Sequence, residues 1–163
     1  MATYAKDTEV SPGRSREEIE RTLSRYGATA FGYAVQGDRA MVEFIAHGYR
    51  VRFLVDLPDP SDRAFTVTES GRSRQSAAAR GEYEKAVRQR WRVLALITKA
   101  KLEAVAAGVV AFEREFLPYM VLPSGETVGD AMVPRLAEIV RTGEMPSLLA
   151  DYTRLALPPA TGR

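Results

Sequence analysis

The sequence predicts an α+β fold, in which a three- to four-stranded antiparallel meander packs on one long central helix, with an N-terminal helix before it and two shorter helices after it. Three observations predict this fold. Apolar residues alternate with a period of two over residues 30–57, they recur at helical spacing over 77–107, and glycine turns separate the segments. The 163 residues suit one domain, which we expect at 15–150, between a flexible arm at 1–14 and a disordered tail at 151–163.

A first helix is predicted directly after the polar arm. Ser15 and Glu18 have the spacing of a capping box, in which the serine accepts from a free backbone N–H and the glutamate reaches back to the cap. Ile19 and Leu23 follow on one helical face, and Gly27 stands where a glycine commonly ends a helix. The helix is therefore expected to begin at the capping box and to end before Gly27.

A meander of three strands is predicted next. The alternating runs are 30–35, 40–47 and 49–57, separated by glycine-containing turns. The third run is the clearest, because Val51 and Phe53 fall on one side of it while Arg50 and Arg52 fall on the other. Such alternation is typical of an antiparallel sheet with one buried face. Residues 65–68 are expected to add a short edge strand.

A long helix is predicted over residues 77–107. Its apolar face includes Trp91 and Leu94. The strand face and this helix face are the two largest apolar surfaces that the sequence offers. We therefore expect Trp91 and Leu94 to be buried together with Val51 and Phe53.

Two shorter helices are predicted in the C-terminal part of the chain. The first ends before Pro118, since proline breaks a helix interior. The second begins at Thr127 and Asp130, which have capping-box spacing, and ends at Gly143. Together with the sheet, these helices are expected to cover the long helix.

Residues 93–97 make the middle of the long helix apolar nearly all round. Such a helix needs cover on both sides, from the sheet and from later helices or a partner chain. A chain of this length offers few elements for that purpose. We therefore expect a homo-oligomer, most simply a two-fold dimer.

The residues that carry catalysis and metal binding are scarce. The absence of cysteine excludes disulfides, thiolate zinc sites and a cysteine nucleophile. His47 is the only histidine and stands beside Gly48, which favours a turn residue over a catalytic imidazole. Glu113 and Glu115 are two residues apart, so they point in different directions on a helix. We therefore predict no catalytic residue, no metal and no cofactor, and a carboxylate-dependent metalloenzyme is the least favoured function.

No targeting or membrane segment is predicted. The first seven residues contain no apolar core of a signal peptide. The longest apolar run, at 93–97, is far shorter than the roughly 20 residues of a membrane span. We expect a cytoplasmic protein without a membrane partner.

Positive charge is concentrated in one segment. Residues 72–101 contain nine basic and two acidic residues, a net charge of +7, whereas the parts before and after are mildly acidic. Such a segment can attract phosphate. Alternatively, its arginines pair with carboxylates of the flanking parts. The first interpretation predicts nucleic-acid contacts in a groove between strand and helix, at Arg50, Arg52, Arg72, Arg74, Arg80, Lys85, Arg88, Arg92 and Lys99.

Four stretches of the chain, at 4–8, 15–28, 88–107 and 121–130, resemble a family of short uncharacterised phage and prophage proteins. This resemblance covers most of the chain and implies an accessory protein that works in the cytoplasm of a bacterial host. The order of elements is also similar to the β-β-β-α core of RecT-type single-strand annealing proteins, on topology alone.

Two functions follow as expectations. The first is a non-enzymatic, phage-type accessory protein of nucleic-acid metabolism, which binds the nucleic-acid backbone through a basic helix and strand surface. The second is an accessory factor that binds a protein, such as an inhibitor of a host enzyme or an assembly component, without contact to nucleic acid. Pairing of the arginines within the chain would favour the second.

Overall fold

The computed structural model describes residues 8–144. Its elements, in chain order, are α1 (Pro12–Arg25), β1 (Ala30–Gln36), β2 (Arg39–Ala46), β3 (Tyr49–Asp56), α2 (Arg63–Thr66), α3 (Ser76–Ala106), α4 (Phe112–Phe116), a 3-10 helix (Leu117–Tyr119) and α5 (Val128–Thr142). The three strands form one antiparallel sheet in the order β1-β2-β3. The predicted α+β fold is therefore confirmed, while the predicted tail at 151–163 lies outside the described residues.

The first helix begins earlier than its predicted capping box. Ser11 is the N-cap, and its hydroxyl accepts from the backbone N–H of Arg14 at 3.2 Å. Pro12 occupies the first turn, where its fixed φ and missing N–H suit a helix start. Ser15 is fully buried inside the helix. The capping box at Ser15 is thus wrong, and residues 12–14 belong to the helix rather than to the expected arm.

Two tight turns connect the strands of the sheet. Gly37 has a φ of 59° between β1 and β2. His47 and Gly48 both have positive φ, at 51° and 80°, as a two-residue type I′ turn between β2 and β3 requires. The ring of His47 stacks on Phe112 with centroids 4.4 Å apart. The structure therefore places His47 in a turn and packs its ring on the core.

The predicted edge strand at 65–68 is wrong. Residues Arg63–Thr66 form the one-turn helix α2, and the Asp62 carboxylate accepts from the backbone N–H of Ala64 at 3.0 Å. Only Val67 makes an isolated bridge, to Ser73. The aspartate cap directs the local chain into a helical turn, and this outweighs the β-propensity of the residues that follow.

The core lies between the inner face of the sheet and the helices. Its buried members are Ile19, Leu23, Ala40, Val42, Phe44, Ala46, Val51, Phe53, Trp91, Leu94, Ala95, Leu102, Phe112, Phe116 and Met120. The predicted joint burial of Trp91 and Leu94 with Val51 and Phe53 is confirmed. The ring of Phe116 meets that of Phe44 edge-on at 5.9 Å, which is a favourable aromatic geometry.

The long helix α3 matches its prediction to within one residue at each end. It packs beside α1, where Ser15 and Thr98 are both fully buried. A hydrogen bond with Glu103 near the end of α3 raises the pKa of Tyr26 at the end of α1. Within the apolar stretch 93–97, Ile97 stays 42% exposed. One side of α3 is thus open, and the homo-oligomer stays a prediction.

The last helix, α5, is attached mainly through its first turn. The predicted capping box is confirmed, because the Thr127 hydroxyl accepts from the N–H of Asp130 at 3.1 Å. A Cβ at Gly129 would stand only 2.8 Å from the carbonyl oxygen of Pro118, so glycine permits close contact with the 3-10 helix. None of the residues of α5 is buried. The rest of the helix therefore projects from the domain.

Candidate functional site

The nine predicted nucleic-acid contacts form three separate groups. They are the strand pair (Arg50, Arg52), the loop group (Arg72, Arg74, Arg80) and the helix group (Lys85, Arg88, Arg92, Lys99). Val51 and Phe53 face the core beside α3, so the alternating Arg50 and Arg52 face the other side of the sheet. The predicted groove between strand and helix does not form, because the sheet itself lies between the strand pair and the helix group.

The strand pair is held by a carboxylate of the neighbouring strand. Glu43 lies opposite Arg52 in the β2–β3 register. The Nε atoms of Arg50 and Arg52 donate to its two carboxylate oxygens at 2.5 Å and 2.8 Å. Arg52 also donates through Nη1 to the carbonyl of Gly125 at 2.7 Å. Arg52 therefore fastens the turn before α5 to the sheet.

The protonation of Glu43 reflects two opposing effects. Burial alone would raise its pKa, but the hydrogen bonds and charges of Arg50 and Arg52 outweigh burial and hold the pKa below its ordinary value of 4.5. Glu43 is therefore ionised at neutral pH, and it neutralises part of the charge that the sequence assigned to nucleic acid.

Replacing Glu43 with glutamine is expected to lower the unfolding free energy by about 1–3 kcal/mol at pH 7, because two arginines lose a charged hydrogen-bond acceptor. A depressed folded-state pKa contributes stability above the unfolded-state pKa, and this contribution disappears as the pH falls through the folded-state value. The difference between wild type and Glu43→Gln should therefore shrink below pH 4.5 in urea titrations.

The exposed pair of Glu138 and Arg141, 3.6 Å apart, provides the matched control. Glu138→Gln should change stability by less than about 0.5 kcal/mol, since surface ion pairs contribute little. A pH-independent difference for Glu43→Gln would show that the carboxylate does not act as the ionised acceptor of the two arginines.

The helix group is largely engaged within the domain. Arg92 forms an ion pair with Glu18 of α1. The Nε of Arg88 is buried and has no hydrogen-bond partner among the described residues. Lys85 is half-buried and also interacts with another group of the protein. Within residues 8–144, only Lys99 of this group is exposed without an ion-pair partner. Three of the four side chains of the helix group are thus partly buried, and only Lys99 is fully available to a ligand in solvent.

Arg74 and Arg80 of the loop group line a cleft at the start of α3. Arg74 donates to the carbonyl of Val67 at 3.2 Å, so its charge is not neutralised. Arg80 pairs with Glu84 at 2.9 Å, and Arg72 is exposed without an ion-pair partner in the described chain. The cleft measures about 610 Å³, and its wall includes Arg74, Arg80, Glu84, Tyr83, Thr66, Ser73 and Ser76. Guanidinium and hydroxyl donors at a helix start can bind a phosphate.

A second surface, which the sequence did not single out, runs along α5. Val133, Leu136 and Val140 recur at i, i+3 and i+7 and are 63%, 51% and 85% exposed. At its base lies a cleft of about 470 Å³ between α5 and the outer face of β3, lined in part by Leu54, Pro118 and Val133. We call the exposed side chains of Leu54, Val133, Leu136 and Val140 the α5 surface. The helical spacing of the apolar residues was the available signal for it.

Two kinds of site are not found among the described residues. Within 8–144, no group of three or more histidine, aspartate or glutamate side chains is placed to hold a metal ion. No helix in this part of the chain is long and apolar enough to cross a membrane.

Comparison with protein-family models, with curated proteins and with solved structures finds no match to this chain. The resemblances to phage proteins and to RecT-type proteins therefore stay predictions.

Proposed function

We propose that this protein is a non-enzymatic accessory factor that binds another protein through the α5 surface. One observation carries the proposal: α5 projects from the domain with a row of large apolar side chains in solvent. Exposed apolar rows of this kind mark interaction sites, because a monomer gains nothing from leaving them in water. The i, i+3, i+7 spacing matches the anchors of a helix that binds in an apolar groove of its partner.

The charges of α5 favour a protein over a lipid surface. Its polar residues include Arg135 and Arg141, but also Asp130 and Glu138, so the helix is not rich in cations. Amphipathic helices that bind anionic membranes carry many lysines and arginines on the polar face. A folded protein with a matching groove is therefore the partner that fits α5 best.

A second candidate function is binding of nucleic-acid backbone at the cleft of the loop group. The observation that favours it is the un-neutralised charge of Arg72 and Arg74 beside the start of α3. Against it, Arg50, Arg52, Arg80 and Arg92 all pair with carboxylates inside the domain. Several of the predicted contact residues are thus used for pairing within the chain, which favours protein binding over this second candidate.

The double substitution Leu136→Glu with Val140→Glu is expected to weaken partner binding by about 2 kcal/mol or more, roughly thirtyfold. Stability should change little, because neither residue is buried. Binding is measured by co-purification of the full chain from bacterial cells and then with the purified partner. Arg135→Glu, on the same helix, is the matched control and should bind as wild type.

Nuclease treatment and a salt series separate the two functions in the same experiment. If the captured material is nucleic acid, released by salt with a log–log slope of about −0.7 to −0.9 per phosphate, the loop group is the site. Arg72→Glu with Arg74→Glu would then abolish capture. Retention of the same protein partner by the α5 double variant would overturn the proposal.

A further inference from the structure

The two edges of the sheet are not equivalent. At the β3 edge, the backbone N–H of Val121 donates to the carbonyl of Arg50 at 2.8 Å, and Met120 bridges to Val51. At the opposite edge, β1 pairs with β2 alone within the described part of the chain. One edge is thus partly covered by a later segment, while none of residues 8–144 pairs with the outer side of the seven residues of β1.

The strand at the open edge carries none of the features that usually prevent edge-to-edge pairing. Its sequence, AFGYAVQ, contains no charge and no proline. Its pairing with β2 is continuous from Ala30 to Gln36, without a bulge. Tyr33 and Val35 are 51% and 53% exposed. Natural edge strands are commonly protected by lysine, proline, bulges or short length, so β1 is built to pair with another strand.

The hydrogen-bond pattern of the sheet determines which N–H and C=O groups of β1 point away from it. The N–H of Leu57 donates to the carbonyl of Asp38 at 2.6 Å, which places the even-numbered residues of β2 in hydrogen bonds to β3. The odd-numbered residues of β2 therefore bond to β1, through its even-numbered residues. The N–H and C=O groups of Phe31, Tyr33 and Val35 consequently point away from the sheet.

We infer that two copies of this chain pair antiparallel along β1, about a two-fold axis at Tyr33, into a continuous six-stranded sheet. Residue 33 is the centre of the strand, so this register alone overlaps all seven residues. It places Tyr33 opposite its counterpart and Phe31 opposite the partner's Val35, which are stabilising cross-strand pairs. The neutral strand opposes no like charges, and the two-fold symmetry closes both open edges at once.

The dimer is independent of the α5 surface. Phe31, Tyr33 and Val35 lie on the face of the sheet that carries Val42 and Phe44, and the Arg16 guanidinium stands 4.6 Å from the centre of the Tyr33 ring. The pairing also differs from the dimer through α3 that the apolar stretch 93–97 predicts. The two routes to a dimer can therefore be distinguished by substitution.

Sedimentation of the full chain at micromolar concentration is expected to give the mass of two chains. Val35→Pro removes an outward N–H without removing a bond to β2, and it should give the mass of one chain. Val35→Lys provides a milder second variant with the same expected result, should the proline variant fail to fold. Val140→Lys, on α5, is the matched control and should stay dimeric.

Crosslinking tests the register directly, because the chain contains no cysteine of its own. Tyr33→Cys should form an interchain disulfide under mild oxidation, since directly opposed residues lie about 5.5 Å apart between Cα atoms, within the range that disulfides span. Val140→Cys should not. A monomeric wild type, or a dimer that persists in both Val35 variants and is lost in Ile97→Lys, would overturn the inference.

Discussion

Replacing Phe116 with alanine is expected to lower the unfolding free energy by about 3–5 kcal/mol, the largest stability effect that we predict. Phe116 is fully buried, and its ring lies 5.9 Å from Phe44 and 4.6 Å from Phe112. Its removal leaves a cavity lined by aromatic rings of both the sheet and α4, which cannot easily collapse. The measurement is equilibrium unfolding in urea of the full chain and its variant.

The neighbouring residue provides the control for this result. Leu117 follows Phe116 directly but is half-exposed at the start of the 3-10 helix. Leu117→Ala is expected to cost less than about 1 kcal/mol, because little apolar surface is returned to water. Equal costs for the two substitutions would mean that the C-terminal aromatic residues do not pack on the sheet as the structure shows.

Periodicity was sufficient to predict most of the fold. The alternation of Val51 and Phe53 with Arg50 and Arg52 predicts a strand with one buried face, and the structure has it. Local sequence signals predicted the wrong start of α1, because two possible caps compete there. A serine precedes a proline at residues 11–12 and starts α1, so the capping-box spacing at Ser15 was a coincidence of composition. Boundaries of this kind depend on which cap the backbone selects, and the sequence offers both.

Ion pairs between residues far apart in the sequence could not be predicted, because they depend on tertiary packing. Arg92 and Glu18 are 74 positions apart, and only the packing of α1 beside α3 brings them together. The contact of Glu43 with Arg52 was in principle predictable, since the two-residue turn at His47 and Gly48 fixes the register. Because Arg92 and Lys101 pair with carboxylates outside the segment, the net charge of +7 in residues 72–101 overstates the positive surface available to a ligand.

The exposure of the α5 surface could not be predicted from the sequence for a different reason. The sequence correctly predicts a helix between Thr127 and Gly143, on which the apolar residues recur at helical spacing. An apolar helical face is normally covered by its own domain, so the pattern alone indicates burial. Which elements can cover α5 depends on what the apolar faces of the sheet and α3 already pack against. In this chain Phe112 and Phe116 of α4 belong to the core, whereas none of the residues of α5 is buried.

Replacing Leu94 with alanine is expected to lower the unfolding free energy by about 2–5 kcal/mol, because this buried side chain belongs to the cluster that joins α3 to the sheet. Ile97 stands three residues later on the same helix but is 42% exposed, so Ile97→Ala should cost less than about 1 kcal/mol in a single chain. Both values come from urea unfolding at several protein concentrations.

The comparison of the two substitutions decides which face of α3 is internal. A large cost at Leu94 and a small, concentration-independent cost at Ile97 would agree with a helix covered on one side by its own domain. A cost at Ile97 that rises with protein concentration would mean that a second copy covers the open side of α3, as the apolar stretch 93–97 predicts. In that case the two-fold axis would pass beside α3, and the open edge of β1 would remain free for a different strand.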